Sequence, residues 1–203
     1  MAADQPLRRI GAVDSKTRAL LLDAAEQLLV EEGYAAVTSR RVGAKSGLKP
    51  QLVHYYFRTM DDLFTEVFRR RAEENLSRIE EAIADDDSLR CIWELTADMR
   101  GTAFTLEFAA LANHRKAIRS EIAHYVERFR AAQLDILTRA LDRSGVAATD
   151  LPPVVASLLM TGLSQVLSIE RALGVTSGHE ESLAFVGRFL DDLEKRGGAS
   201  PGT

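Results

Sequence analysis

Between Gly33 and Thr59 the chain is punctuated so tightly that only two helices of about two turns each can fit. Thr38 is placed to cap the stretch "SRRVGAKS", and Gly47 is placed to stop it. Pro50 then suits the first turn of a second short helix, "QLVHYYF", where its missing N–H costs nothing. Ahead of this pair, Ala19, Leu22, Ala25, Leu28 and Leu29 form one apolar stripe, predicting a longer helix from Asp14 or Ser15 to Glu32 that Gly33 ends. A supporting helix followed by two short ones across a glycine turn is a helix-turn-helix unit. Val42, Leu48 and Val53 are expected to point toward Leu28 and Leu29, and Ala44 is small enough to permit a close crossing. Left outside are Ser39, Arg40, Lys49, Gln51, Leu52, His54 and Tyr55, whose donors, cations and planar groups suit a groove edged by phosphates. Phe57 reads as core, and Tyr55 as either core or reading surface.

The formal net charge of −4 argues against a nucleic-acid partner until it is divided along the chain. Residues 1–60 hold nine Lys or Arg against six Asp or Glu, whereas the remainder holds 17 against 24. From Thr38 to Arg58 there are five basic residues (Arg40, Arg41, Lys45, Lys49, Arg58) and no acidic one. Segregation of this kind marks a local positive surface on an otherwise acidic protein. The single cysteine, Cys91, excludes an intrachain disulfide and reads as a buried small hydrophobe. No signal peptide opens the chain and no run of about 18 apolar residues occurs, so a cytoplasmic protein without a membrane span is expected.

Helix formers dominate the rest, β-branched residues rarely cluster, and the pattern predicts an all-α chain of about nine helices. One helix begins near Thr59, with Asp61 and Asp62 at the positive end of its dipole, and runs to about Ala84. The basic front gives way to the acidic back inside it. Ser88 opens a helix carrying Cys91, Trp93 and Met99 that breaks near Gly101. A short apolar helix, "TAFTLEFAALANH", follows. Lys116 to Ser144, Pro152 to Leu173 and Gly178 to Arg196 are three longer ones. Arg69–Arg71 read as a solvated helix face. On the last two helices Val155, Leu159, Gly162 and Val166, with Val186, Gly187 and Leu190, form candidate pairing faces. Glycine in mid-helix costs about 1 kcal/mol against alanine, so Gly162 and Gly187 point to a close helix crossing.

The stretch "LLDAAEQLLVEEGYAAVTSRRVGAKSGLKPQLVHYYFRTMDDLF" resembles the tetracycline-repressor (TetR) family of bacterial transcriptional regulators. The resemblance covers residues 14 to about 64. It implies a flexible arm (1–13), a helix-turn-helix DNA-binding domain (14–58), a helical effector-binding and dimerisation domain (59–197) and a tail (198–203). It also implies a homodimer on a near-palindromic operator, paired through a four-helix interface. Thr38, Ser39, Arg40, Lys49, Gln51, Leu52, His54 and Tyr55 then face double-stranded DNA, and Tyr56 hydrogen-bonds a phosphate. Two departures stand out: His54 replaces the usual tyrosine, and Met60 the usual phosphate-anchoring lysine, a contact expected to pass to Arg58. Trp93, Met99, Phe104, Phe108, His124, Tyr125 and Phe129 would enclose a small apolar effector whose binding tilts the helix from Thr59. Repression is the family's usual mode.

An enzyme is disfavoured, because no phosphate loop, GxSxG elbow or HExxH motif occurs. His114 and His124 are ten residues apart, a poor spacing for a shared metal, so no metal or cofactor is expected. The alternative is a dimeric helical small-molecule-binding or adaptor protein without DNA function. It leaves the acid-free basic window without a purpose.

Overall fold

The structure is a computed structural model and describes residues 16–84 and 88–198; the arm, the tail and the Asp14 or Ser15 cap lie outside the described residues. It is all-α over those residues: α1 (Lys16–Glu32), a single 3-10 turn (Tyr34–Ala36), α2 (Ser39–Ser46), α3 (Gln51–Tyr56), α4 (Met60–Ala84), α5 (Ser88–Ala97), α6 (Met99–Ala112), α7 (Lys116–Arg143), α8 (Pro153–Ala172) and α9 (His179–Gly198). The chain divides into two compact units. One comprises the residues up to Arg71 together with Glu107–Ile122, the other Ala72–Leu106 together with the residues from Ala123 onward.

Local chemistry accounts for most helix ends. The Thr38 side chain accepts from the Arg41 backbone N–H at 3.3 Å. Thr59 and Asp62 form a reciprocal capping box: Asp62 N–H donates to Thr59 Oγ1 at 3.0 Å and Thr59 N–H to Asp62 Oδ2 at 3.1 Å. Gly47 adopts φ +70°, and the N–H groups of Gly47 and Leu48 bond back to Ala44 and Gly43, closing a Schellman motif. One helix end differs from expectation. The break after α5 falls at Asp98, not near Gly101, because the Asp98 carboxylate caps the Arg100 and Gly101 N–H groups at 3.1 Å each. Met99 therefore opens α6 rather than closing α5.

In the first unit, Leu21, Leu28 and Leu29 of α1 are buried with Val42, Val53, Phe57, Leu63 and Phe68. Helix α3 is six residues long and buries only Val53. Such a helix cannot stand alone, and full burial of one valine contributes about 1.5–3 kcal/mol. Phe57 follows it into the core at 2% exposure, with the Arg18 guanidinium 5.3 Å from its ring centroid. The expectation of a solvated Arg69–Arg71 face is corrected. Arg70 bonds Asp23 at 2.6 Å and Glu26 at 2.8 Å, and Arg71 bonds Glu26 at 3.3 Å, so both tie α4 to α1. Arg69 reaches Glu121 of α7 at 2.5 Å.

The second unit has its core at Ile79, Leu89, Ile92, Ile136, Leu137, Leu141, Leu190 and Leu193. A polar seam runs beside it. Ser157 donates to Gln133 at 2.8 Å, Gln133 to Thr96 at 3.4 Å, and the Thr102 and Ser164 hydroxyls share a bond of 3.1 Å. Cys91 is only half-buried, 3.6 Å from the Arg78 carbonyl, and so is not the buried thiol expected. Among the described residues, α8 is the one helix long and apolar enough to cross a membrane by length and composition, although the sequence count found no such run. Its inner side carries Ser157, Ser164 and Ser168, all buried.

Candidate nucleic-acid interface

The close approach of α2 and α3 is made by Gly43, not by Ala44, which is exposed. A Cβ at Gly43 would lie 2.9 Å from the Leu48 carbonyl oxygen, 3.0 Å from the Pro50 nitrogen and 3.1 Å from Pro50 Cα. All three are backbone atoms, so the missing side chain is what lets α3 start directly against α2. Pro50 itself is helical (φ −55°, ψ −28°) and leads into Gln51.

Around that crossing most of the residues expected at the DNA are open to solvent. Thr38, Arg40, Lys49, Gln51, His54, Tyr55 and Arg58 are exposed, while Ser39, Leu52 and Tyr56 are half-buried. Tyr55 is therefore on the outside, its ring edge-on to Tyr56 with centroids 5.1 Å apart. Met60 is half-buried at the start of α4, one residue past the exposed Thr59.

The five cations of the acid-free window are not equivalent. Arg41 Nη2 donates to both carboxylate oxygens of Glu32, at 2.5 and 2.6 Å, and Lys45 pairs with Glu31 at 2.5 Å. Hydrogen bonding to Arg41 holds the Glu32 carboxyl below its ordinary range and raises the guanidinium in turn. Arg40, Lys49 and Arg58 have no carboxylate partner among the described residues. Sequence position alone could not separate these two groups, because the neutralising carboxylates lie 9 and 14 residues earlier, on α1.

The expected effector-site residues are not all brought together. Phe108 is wholly buried in the first unit, with its ring centroid 6.4 Å from Phe64 and 5.1 Å from Phe68. Phe104 is buried in the second unit, and Trp93 and Phe129 pack partly buried against its core. Tyr125 lies 5.7 Å from Phe129, centroid to centroid, and accepts from Asn75 at 3.2 Å. His124 is exposed on α7 near Glu73, which removes it from any enclosed site. Nothing is described for the Met99 side chain.

Of the expected pairing residues, Val155, Leu159 and Val166 are exposed, Leu159 at 63%. Val186 and Leu190 are corrected: both are buried in the second unit's own core. The outward side of α9 is instead Leu183 and Phe185, the latter 64% exposed. Along α8 and its C-cap Leu173, the apolar positions 155, 159, 162, 166, 169 and 173 alternate steps of four and three, the spacing of a coiled-coil seam. Gly162 and Gly187 have open space where a Cβ would go. Among the described residues, no three His, Cys, Asp or Glu side chains converge in a way that could hold a metal ion.

Residues 21–67 match the family model described as bacterial regulatory proteins, tetR family. No curated protein matches the chain. Among solved structures, a TetR-family transcriptional regulator from Rhodococcus sp. superposes with a TM-score of 0.69 at 17% identity, over 90% of this chain and 100% of that one. A regulator from Saccharomonospora viridis, in complex with choline, gives 0.64 at 20% identity over 76% and 85%. FadR from Bacillus subtilis, in complex with stearoyl-CoA, gives 0.62 at 18% identity over 86% and 96%. At these identities the likeness is one of fold.

Proposed function

We propose that this chain, with the tetR family's helix-turn-helix domain at its front, is a sequence-specific DNA-binding transcriptional regulator. It acts in the cytoplasm, reads a near-palindromic operator as a homodimer and responds to a small molecule. The observation that carries the reading is the α2–α3 pair: Gly43 permits the crossing, and the exposed Arg40, Lys49 and Arg58 have no carboxylate partners among the described residues. In this reading Gln51, His54 and Tyr55 meet base edges in the major groove. Thr38, Ser39, Arg40, Lys49, Tyr56 and Arg58 meet phosphates, which fix register, and Leu52 makes an apolar contact. Arg58, which is exposed, takes the phosphate contact that Met60 cannot make.

Two heads must be spaced by about one helical turn of DNA or a multiple, on the order of 34 Å. The α8 seam and the outer side of α9 support pairing through a four-helix interface, with Gly162 allowing close approach. An effector site belongs to the second unit, whose interior combines Phe104, Trp93 and Phe129 with the Thr96–Gln133–Ser157 seam. Relatives of this fold holding choline and stearoyl-CoA support a small-molecule input. Such an input shifts the head spacing only as far as its affinities for the two arrangements differ.

Selection of duplexes from a random pool by the purified protein, followed by anisotropy titration across salt, tests the reading. Expected is an enriched inverted repeat whose log affinity falls linearly with log salt, about 0.9 per phosphate neutralised. Failure to enrich any sequence would refute it.

A further inference from the structure

Resting on the DNA-binding reading, we propose that Glu107 of α6 is a positioning residue for the reading head, setting the corner at which the chain turns from α1 toward α2. That corner is Gly33–Tyr34. Gly33 leaves α1 at φ +82°, and the Tyr34 N–H that follows starts the 3-10 turn, where the turn itself supplies no acceptor for it. The Glu107 carboxylate accepts that N–H at 2.9 Å, from 73 residues further along the chain. It also lies against the corner itself, since a Cβ on Gly33 would sit 3.4 Å from Glu107 Oε2.

Glu31 and Glu32, at the end of α1 just before this corner, pair with Lys45 and Arg41 of α2. They pull α2 against α1 but leave the corner's own backbone untouched. Glu107 is held in place by its neighbours: Phe108 and Leu111 are at most 1% exposed, and Phe108 packs on Phe64 and Phe68. The carboxylate is thus delivered from a helix that is itself anchored in the core of the first unit. A charged acceptor makes one of the stronger classes of hydrogen bond to a backbone N–H. Since α2 and α3 follow directly from this corner, its backbone geometry fixes where their exposed face points.

The test uses the full chain and a duplex enriched by the wild-type protein. Hydrogen exchange at the Tyr34 amide, thermal midpoint, and affinities for the enriched and a scrambled duplex are measured together. Glu107→Ala is expected to expose the Tyr34 amide to exchange and to weaken the enriched duplex about tenfold, leaving the scrambled duplex unchanged. Glu107→Gln, which keeps an acceptor oxygen, is expected to stay within about twofold of wild type. If Glu107→Ala fails to fold, Glu107→Asp, which draws the carboxylate back by one methylene, is expected to show the same selective loss in weaker form. Unchanged affinity in the folded variants, or equal losses on both duplexes, would overturn the proposal. Absence of any enriched duplex with the wild-type protein sinks the DNA-binding reading itself, and the positioning role with it.

Discussion

Replacing Gly43 with alanine tests the packing of the reading head most directly. On an open helix face this change stabilises by about 1 kcal/mol, because alanine gives up less backbone entropy. Here the new methyl group meets three backbone atoms of the α2–α3 turn at 2.9 to 3.1 Å, with no flexible side-chain end to yield. Overpacking costs about 1–3 kcal/mol, and rigid backbone contacts on all three sides put this case in the upper part of that range, about 2–3 kcal/mol, so a net loss of about 1–2 kcal/mol remains after the propensity gain. For a chain of this size that is a fall in thermal midpoint of about 2–8 °C. Gly47→Ala is the paired control, since Gly47 has open space around it and only its φ of +70° to lose. That costs about 1–2 kcal/mol without separating the helices. Calorimetry and anisotropy on both variants should therefore diverge: Gly47→Ala loses stability, whereas Gly43→Ala loses stability and DNA affinity. A Gly43→Ala protein as stable as wild type, or more so, would refute the argument.

Four further outcomes are expected. Arg58→Ala should weaken operator binding by more than Met60→Lys alters it in either direction; equal, small effects in a titration would remove Arg58 from the phosphate contacts. Leu159→Asp or Phe185→Asp should shift the protein toward monomer in sedimentation at micromolar concentration, since a charge in an apolar seam is costly, whereas an unaltered dimer would place the interface elsewhere. Glu31→Gln with Glu32→Gln should free Lys45 and Arg41 and steepen the salt dependence of DNA binding by up to about 1.8, at about 0.9 per cation. Glu73 is held below its ordinary 4.5 by the Arg128 guanidinium, so its stabilising effect is present above 4.5 and is lost as pH falls through the lower folded value. Chemical denaturation should show the difference between wild type and Glu73→Gln constant near neutrality and vanishing in acid, and small throughout because Glu73 is 62% exposed.

What the sequence revealed follows from which interactions are local. Thr38, Gly47 and Thr59 mark helix ends within a few residues of themselves, so their roles could be read directly. Asp98 was missed because a glycine three residues on looked like the stronger stop, whereas a carboxylate cap needs only two adjacent N–H groups. Gly43 and Ala44 are both small, and only the orientation of α2 shows which faces α3. On α9 the apolar positions spread around more than one face, and composition gave no sign that Val186 and Leu190 turn inward while Leu183 and Phe185 turn out. Contacts such as Glu107 to Tyr34, Arg70 to Asp23 and Glu32 to Arg41 pair residues through the fold, and no spacing rule announces them.

If the chain is the regulator proposed above, the carboxylates of Glu31 and Glu32 bear on how it searches a chromosome. Every duplex offers the same phosphates, and a genome presents on the order of 10⁶–10⁹ competing stretches for each true operator. A head with all five cations free would spend its time on those competitors. On the DNA-binding reading proposed above, this one gives up grip on DNA in general by holding Arg41 and Lys45 against α1. A larger share of its residence on DNA then depends on side chains that can tell one base pair from another, so fewer copies of the protein are needed to keep one site occupied.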